Sequence, residues 1–188
     1  MMAPTRLARV KPDRGLSVTE SRRLKRQEQQ VAWRRRGAGF VRPPWTDEGR
    51  VRALCTSCGD CIAACPEAIL RAGPARTPIV DFLENSCTFC RDCAAACGEG
   101  VFRDETQTPW TLTARLGAAC LLRMGVSCRS CTDACDAHAL RFDLRAGPVG
   151  AIHVDHDACT GCGACVGVCP AGAVTMAYGA APRVEAAE

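Results

Sequence analysis

Bulky aromatic residues are scarce in this chain, at 5% of 188 positions, with one tyrosine, three tryptophans and five phenylalanines. Trp33, Trp45, Trp110 and Tyr178 are scattered along it. Aromatic side chains carry much of the packing energy of an ordinary core. With so few, another source of cohesion is needed, and bound metal supplies one in small domains. Long apolar runs are absent too. No stretch approaches the roughly 20 residues of a membrane span, so none is expected. The N-terminus has arginines but no apolar segment behind them. Ser21-Arg22-Arg23-Leu24 invites a twin-arginine reading, yet Lys25 to Gln30 is too polar for a signal peptide. A cytoplasmic location is the expectation.

What the chain has in excess is cysteine: sixteen residues in four runs, with none left over. Cys55, Cys58, Cys61 and Cys65 read C-x2-C-x2-C-x3-C, followed by Pro66. Cys87, Cys90, Cys93 and Cys97 repeat the spacing, and so do Cys159, Cys162, Cys165 and Cys169, followed by Pro170. The third run is stretched, with seven residues between Cys120 and Cys128 before Cys131 and Cys135. This is the bacterial ferredoxin spacing, whose thiolates hold [4Fe–4S] cubanes. A disulfide framework suits an oxidising compartment, and zinc sites favour C-x2-C pairs separated by a longer gap. Neither fits. All sixteen cysteines are candidate iron ligands, those of the third run on ligand count and partial spacing alone. Four clusters are expected, and three if the third run is degenerate. Residues between ligands are small, among them Gly59, Gly161, Gly163 and Gly167, which lets backbone N–H groups approach cluster sulfides.

Charge divides the chain at about Leu54. Residues 1–54 carry fourteen Arg/Lys and five Asp/Glu, a net of +9, and the remainder carries −5. Clusters of roughly −2 each would bring the body to about −13. A capping box at Ser17 and Glu20 opens a possible helix running to Arg36. Arg42-Pro43-Pro44-Trp45 reads as a stiff link beyond it. The cysteine runs are separated by 21, 22 and 23 residues, as in a repeat. β-prone segments lie at 79–82, 140–142, 152–154 and 174–176. The expected fold class is α+β. It comprises tandem ferredoxin-like halves, each with two [4Fe–4S] motifs, behind a basic, partly helical N-terminal arm. The expected divisions are 1–48, 49–110 and 111–188. Sequential pairing of runs (one with two, three with four) and nested pairing (one with four, two with three) both fit the gaps.

The chain resembles the NapF family, ferredoxin-type proteins associated with periplasmic nitrate reductase. The resemblance rests on Ser21-Arg22-Arg23 in a basic leader, the Arg42-Pro43-Pro44-Trp45 link, and the four runs in this order. Its most specific element is the stretched third run, from Ala119-Cys120-Leu121-Leu122 to Cys128-Arg129-Ser130-Cys131 and Cys135. The chain departs from the family in a longer, more basic leader, and in Gly98 and Asp136 where Pro66 and Pro170 follow the other runs. The resemblance implies an accessory protein acting on the catalytic subunit, NapA, before its export, with the sixteen cysteines as cluster ligands. The alternative is an electron-transfer polyferredoxin serving nitrate reductase or another oxidoreductase.

In the first reading the basic arm and Trp45 are docking elements. Nucleic acid is not an expected partner, since no recognised binding fold accompanies the arm. Neither a small-molecule substrate nor catalysis of its own is expected. His138, His153 and His156 read as polar surface residues. Asp60, Asp92 and Asp133, near the third ligands of their runs, read as helix N-terminal caps.

Overall fold

Ligand loops of two, two and three residues leave no room for long elements. The computed structural model, which describes residues 40–104 and 106–179, is accordingly built from short ones. The possible arm helix from Ser17 to Arg36 lies outside the described residues. The body begins with α1 (Glu48–Leu54), then α2 (Asp60–Ala63), β1 (Leu70–Ala72), β2 (Pro78–Val80) and α3 (Asp92–Ala95). It continues with β3 (Leu112–Leu116), α4 (Ser130–Asp133), β4 (Leu140–Asp143), β5 (Ala151–Val154), α5 (Ala164–Gly167) and β6 (Val174–Tyr178). Single 3-10 turns occupy Pro74–Arg76 and Leu121–Met124. Among the described residues no helix is long and apolar enough to cross a membrane.

The strands make three antiparallel pairs. β1 pairs with β2, with Leu70 opposite Val80. β4 pairs with β5, with Leu140 opposite Val154. β3 pairs with β6, with Leu112 opposite Tyr178 and Leu116 opposite Val174. Three of the four β-prone segments form strands over nearly the expected residues, and the first does so in part: β2 ends at Val80, short of Phe82. β1 and β3 were not anticipated. In β3 the alternation of Leu112, Ala114 and Leu116 was an available sign.

The runs pair sequentially, which settles the choice between the two arrangements. Helix α2 packs on α3, and α4 on α5. Cys61 and Cys93 are buried together in one apolar core with Leu70, Val80 and Leu112. Cys131 and Cys165 are buried in a second core with Ala114, Leu140 and Val174. Two ferredoxin-type halves of mixed helix and strand result.

The halves close differently. In the second, β3 and β6 bracket the two runs. In the first, the link does that work. Val80 N–H donates to Val41 O at 2.9 Å, Arg103 N–H donates to Trp45 O at 2.7 Å, and Trp45 N–H donates to Pro109 O. Helix α1 follows, capped by Asp47, whose carboxylate accepts from Arg50 N–H at 2.8 Å. Its Val51 is 1% exposed.

Arg42 is the keystone of this closure. Its guanidinium is buried and donates to Glu48 Oε2 at 2.6 Å, Thr77 Oγ1 at 2.9 Å and Pro78 O at 2.9 Å. Its backbone N–H donates to the Tyr178 hydroxyl at 3.0 Å, reaching β6 of the second half. The Arg42 hydrogen bond holds the Glu48 carboxyl below its usual 4.5. That contribution is present above the ordinary glutamate range and is lost as pH falls through the lowered value.

Trp45 requires a correction. It is 4% exposed, and its Nε1–H donates to Gln107 O at 3.1 Å. It is a core residue of the closure and offers no docking surface. The reason is that the link is threaded between Pro109 and Arg103 instead of extending into solvent.

Replacing Arg42 with alanine removes charge-assisted bonds to the buried Pro78 carbonyl and the half-buried Thr77 hydroxyl, worth about 2 kcal/mol together with the exposed share at Glu48. We expect the anaerobic urea midpoint to fall by about 1 M. An unchanged midpoint would show that the link closes the first half without Arg42.

Candidate metal centres

The ligand loops begin with a backbone demand. The second residue after the first cysteine is left-handed at Ser57 (φ 62°), Phe89 (φ 58°) and Gly161 (φ 80°). The residue after the second cysteine is left-handed at Gly59, Arg91 and Gly163. These three loops thus curl around a point before entering their four-residue helices, whereas in the third run Arg129 enters α4 at φ −128°. The third cysteine of each run lies early in its helix and faces inward. Cys61, Cys93, Cys131 and Cys165 are all buried, whereas Cys58 and Cys90 are exposed.

The curl displaces the expected caps. Gly59 and Arg91 occupy the cap positions of α2 and α3, with no side-chain cap bond, and Asp60 and Asp92 are the first helical residues. Asp133 ends α4 and lies 3.6 Å from Arg129. A left-handed residue at the cap cannot present a side chain in the extended geometry that capping needs. Asp60 and Asp92 therefore do not cap, and Asp133 does not because it lies at the far end of α4, whose cap residue Arg129 has φ −128°.

The fourth cysteine of each run leaves its own loop. Cys97 joins Cys55, Cys58 and Cys61 around one cavity, designated set I. Cys65 joins Cys87, Cys90 and Cys93 around another, set II. In the second half Cys169 joins Cys120, Cys128 and Cys131, set III. Cys159 and Cys162, with Cys135 from the third run, are among the neighbours that act on Cys165. By the same exchange these four form set IV. Cys120 therefore lies with the others despite the stretch. The inserted residues fold into the Leu121–Met124 turn, and Leu121 lines the set III cavity beside Leu116, Ile152 and Val174.

The donor chemistry fits a cationic, soft group. Burial pushes the Cys93 and Cys165 thiols up to about 12, and those of Cys61, Cys87 and Cys131 up to about 11. Neighbouring cysteines add to each rise, so the sets resist ionisation unless positive charge arrives. N–H groups already point at sulfur: Ala173 N–H lies 3.2 Å from Cys169 Sγ, and the Phe89 backbone bonds to Cys87. Among the described residues no three Cys, His or acidic side chains converge as a single ion requires. Sets I, II and III instead each line a cavity, which suits a cubane with one thiolate per corner.

Two segments, 54–101 and 126–173, match the 4Fe-4S dicluster domain family. Each spans one sequential pair of runs. The second begins after Cys120, so that cysteine's place in set III comes from the structure. The chain is 47% identical to the ferredoxin-type protein NapF of Haemophilus influenzae over 72% of its own length and 78% of that protein. It is 39% identical to the ferredoxin-type protein NapF of Escherichia coli K12, over 78% and 89% respectively. The chain belongs to the NapF family.

For a NapF-family chain with two dicluster domains and sixteen cysteines, about four [4Fe–4S] clusters are the cofactor content. His138 adjoins Cys135, its backbone N–H donating to Cys135 O at 2.9 Å, and His156 is half-buried with its Nδ1 enclosed, so it is not the surface residue expected. His138 and His153 are exposed, and His153 Nε2 faces Asp143 Oδ2 at 3.8 Å. Sequence reasoning missed the aromatic ladder beside set II, in which Trp45, Phe89 and Trp110 meet edge-on at centroid distances of 6.2 and 5.8 Å. Arg91 covers the Trp45 ring at 4.3 Å. Residues so far apart in the chain leave no periodic signal.

The exchange predicts a crossed pattern of damage. Cys65→Ser should alter the same iron signal as Cys87→Ser, and Cys97→Ser the same signal as Cys55→Ser, each with loss of up to about four irons. EPR with iron analysis on anaerobically purified protein checks this. If Cys65→Ser instead matched Cys55→Ser, each run would close its own site.

Proposed function

We propose that sets I to IV each hold one [4Fe–4S] cluster, and that the chain is a cytoplasmic accessory protein of periplasmic nitrate reductase. In this reading it acts on the catalytic subunit, NapA, before export. The observation that carries the reading is identity to NapF proteins over most of both chains, with every cysteine drawn into one of four sets. A bound [4Fe–4S] cluster supplies one-electron redox chemistry. The chain's own residues do the rest. The sixteen thiolates hold iron, backbone N–H groups at Phe89 and Ala173 bond to sulfur, and apolar side chains such as Leu121 and Ile152 exclude water from set III.

The basic leader supports an interaction role. Its net of +9 over residues 1–54 contrasts with −5 over the rest, and opposite fields steer encounter with charged partners. With Trp45 buried, docking falls to the leader alone.

Electron transfer is the second reading. It is favoured by the backbone bond from Cys87 N–H to Cys162 O, 2.8 Å, which places a set of one half against a set of the other.

Anaerobic purification should give about sixteen irons per chain, against about twelve if the third run is degenerate. Tagged chain should capture the unexported catalytic subunit, and deletion of residues 1–40 should weaken capture about tenfold or more, with iron content unchanged. Loss of the protein should lower cofactor content in the catalytic subunit. Normal cofactor content with slowed electron delivery would favour the carrier.

A further inference from the structure

The fourth cysteine run has three glycines that its own loop does not explain. Gly161, Gly163 and Gly167 stand where Ser57, Gly59 and Ala63 stand in the first run, and Phe89, Arg91 and Ala95 in the second. Left-handed backbone recurs at the first two places in all three runs. Yet Ser57, Phe89 and Arg91 adopt it with side chains, at φ of 62°, 58° and 71°. The loop conformation therefore does not demand glycine at these places.

Close approach does. A Cβ at Gly163 would lie 2.2 Å from Phe82 Cδ1, far inside van der Waals contact. One at Gly161 would lie 2.5 Å from both Trp110 Nε1 and Leu112 O, and one at Gly167 would lie 2.8 Å from Leu83 O. At Gly59, the counterpart of Gly163 in the first run, a Cβ meets nothing within 4 Å. The opposing surface is built to match. Phe82 and Trp110 meet edge-on at 6.0 Å, and Trp110 Nε1–H donates to Thr160 O at 2.9 Å. Beside them runs the Cys87 N–H to Cys162 O bond, 2.8 Å, between sets II and IV.

We propose that Gly161, Gly163 and Gly167, with Phe82 and Trp110, are positioning residues that seat set IV directly against set II. The four sets then follow the spatial order I–II–IV–III, and the halves form one redox unit with sets I and III at its ends. The inference goes beyond the accessory reading and rests only on sets II and IV each holding a cluster. Chain order and spatial order differ because the contact between halves is made by the last run, not by the third, which follows the second in sequence.

The test uses the full chain, purified anaerobically, reduced, and examined by EPR for spin–spin broadening together with iron content. Gly163→Ala should lose part of the broadening while that arising within each half persists. Phe82→Ala combined with Gly163→Ala should recover it, because the opposing ring that excludes the methyl is gone. Gly172→Ala, at φ 58° with nothing within 4 Å of its Cβ, reports the cost of left-handed strain alone and should leave the broadening unchanged. Should Gly163→Ala also lose iron, recovery of that iron in the double variant supports the proposal equally. Unchanged broadening in Gly163→Ala, or a loss that Phe82→Ala does not reverse, overturns it. Wild-type iron content tests the ligand assignment separately. A low count with the Gly163–Phe82 pattern intact overturns that assignment and supports this proposal.

Discussion

The exchange of each fourth cysteine into the neighbouring run is the constraint on which the rest of the structure depends. The cysteine-bearing helices have four residues and the strands three to five. Elements of that size do not persist alone in water. Neither run of a pair completes a cavity without the other, so each pair must fold as a unit. The third cysteines, buried back to back between α2 and α3 and between α4 and α5, make that unit's centre. With burial raising their pKa values to about 11 or 12, five of the thiols favour the neutral form when no metal is present. We propose that the positive charge of bound iron stabilises so cysteine-rich a core and offsets the shortage of aromatic residues.

The two halves answer the problem of closure with different materials. The second uses a β3–β6 pair of five residues a side. The first uses a link whose prolines withhold backbone donors, so a buried arginine supplies the bonds. Arg42 gathers Glu48, Thr77, Pro78 and the Tyr178 hydroxyl, and Trp45 completes the packing. Because Tyr178 ends β6, the closure of the first half is also fastened to the second. The residues that join the halves are thus concentrated at Arg42 and at the glycine-lined contact beneath Phe82.

This geometry also informs the functional reading. A basic leader on an acidic, cluster-bearing body is suited to meeting a partner, and closely seated sets are suited to moving electrons. The accessory and carrier readings draw on different parts of one chain, the first on the leader and the second on the contact between runs two and four. Burial of Trp45 sharpens the division, since it leaves the body's link no part in docking.

The spacing of the cysteines determined the cofactor, the number of sites and the α+β class, because ligand geometry at a cubane is local and repeats in the sequence. Strands such as β4 and β6 were legible for the same reason: their apolar and branched residues are contiguous. Pairing of the runs was not legible, since gaps of 21 to 23 residues permit either arrangement. Tertiary structure alone decided it, through packing of third cysteines from neighbouring runs. It also moved Trp45 from surface to core, placed Cys120 in set III, and denied the aspartates their capping role. Glycine in the fourth run shows the division best. Sequence identifies residues able to turn a ligand loop, but only the ring of Phe82, some eighty positions away, shows why Gly163 has no room for a side chain.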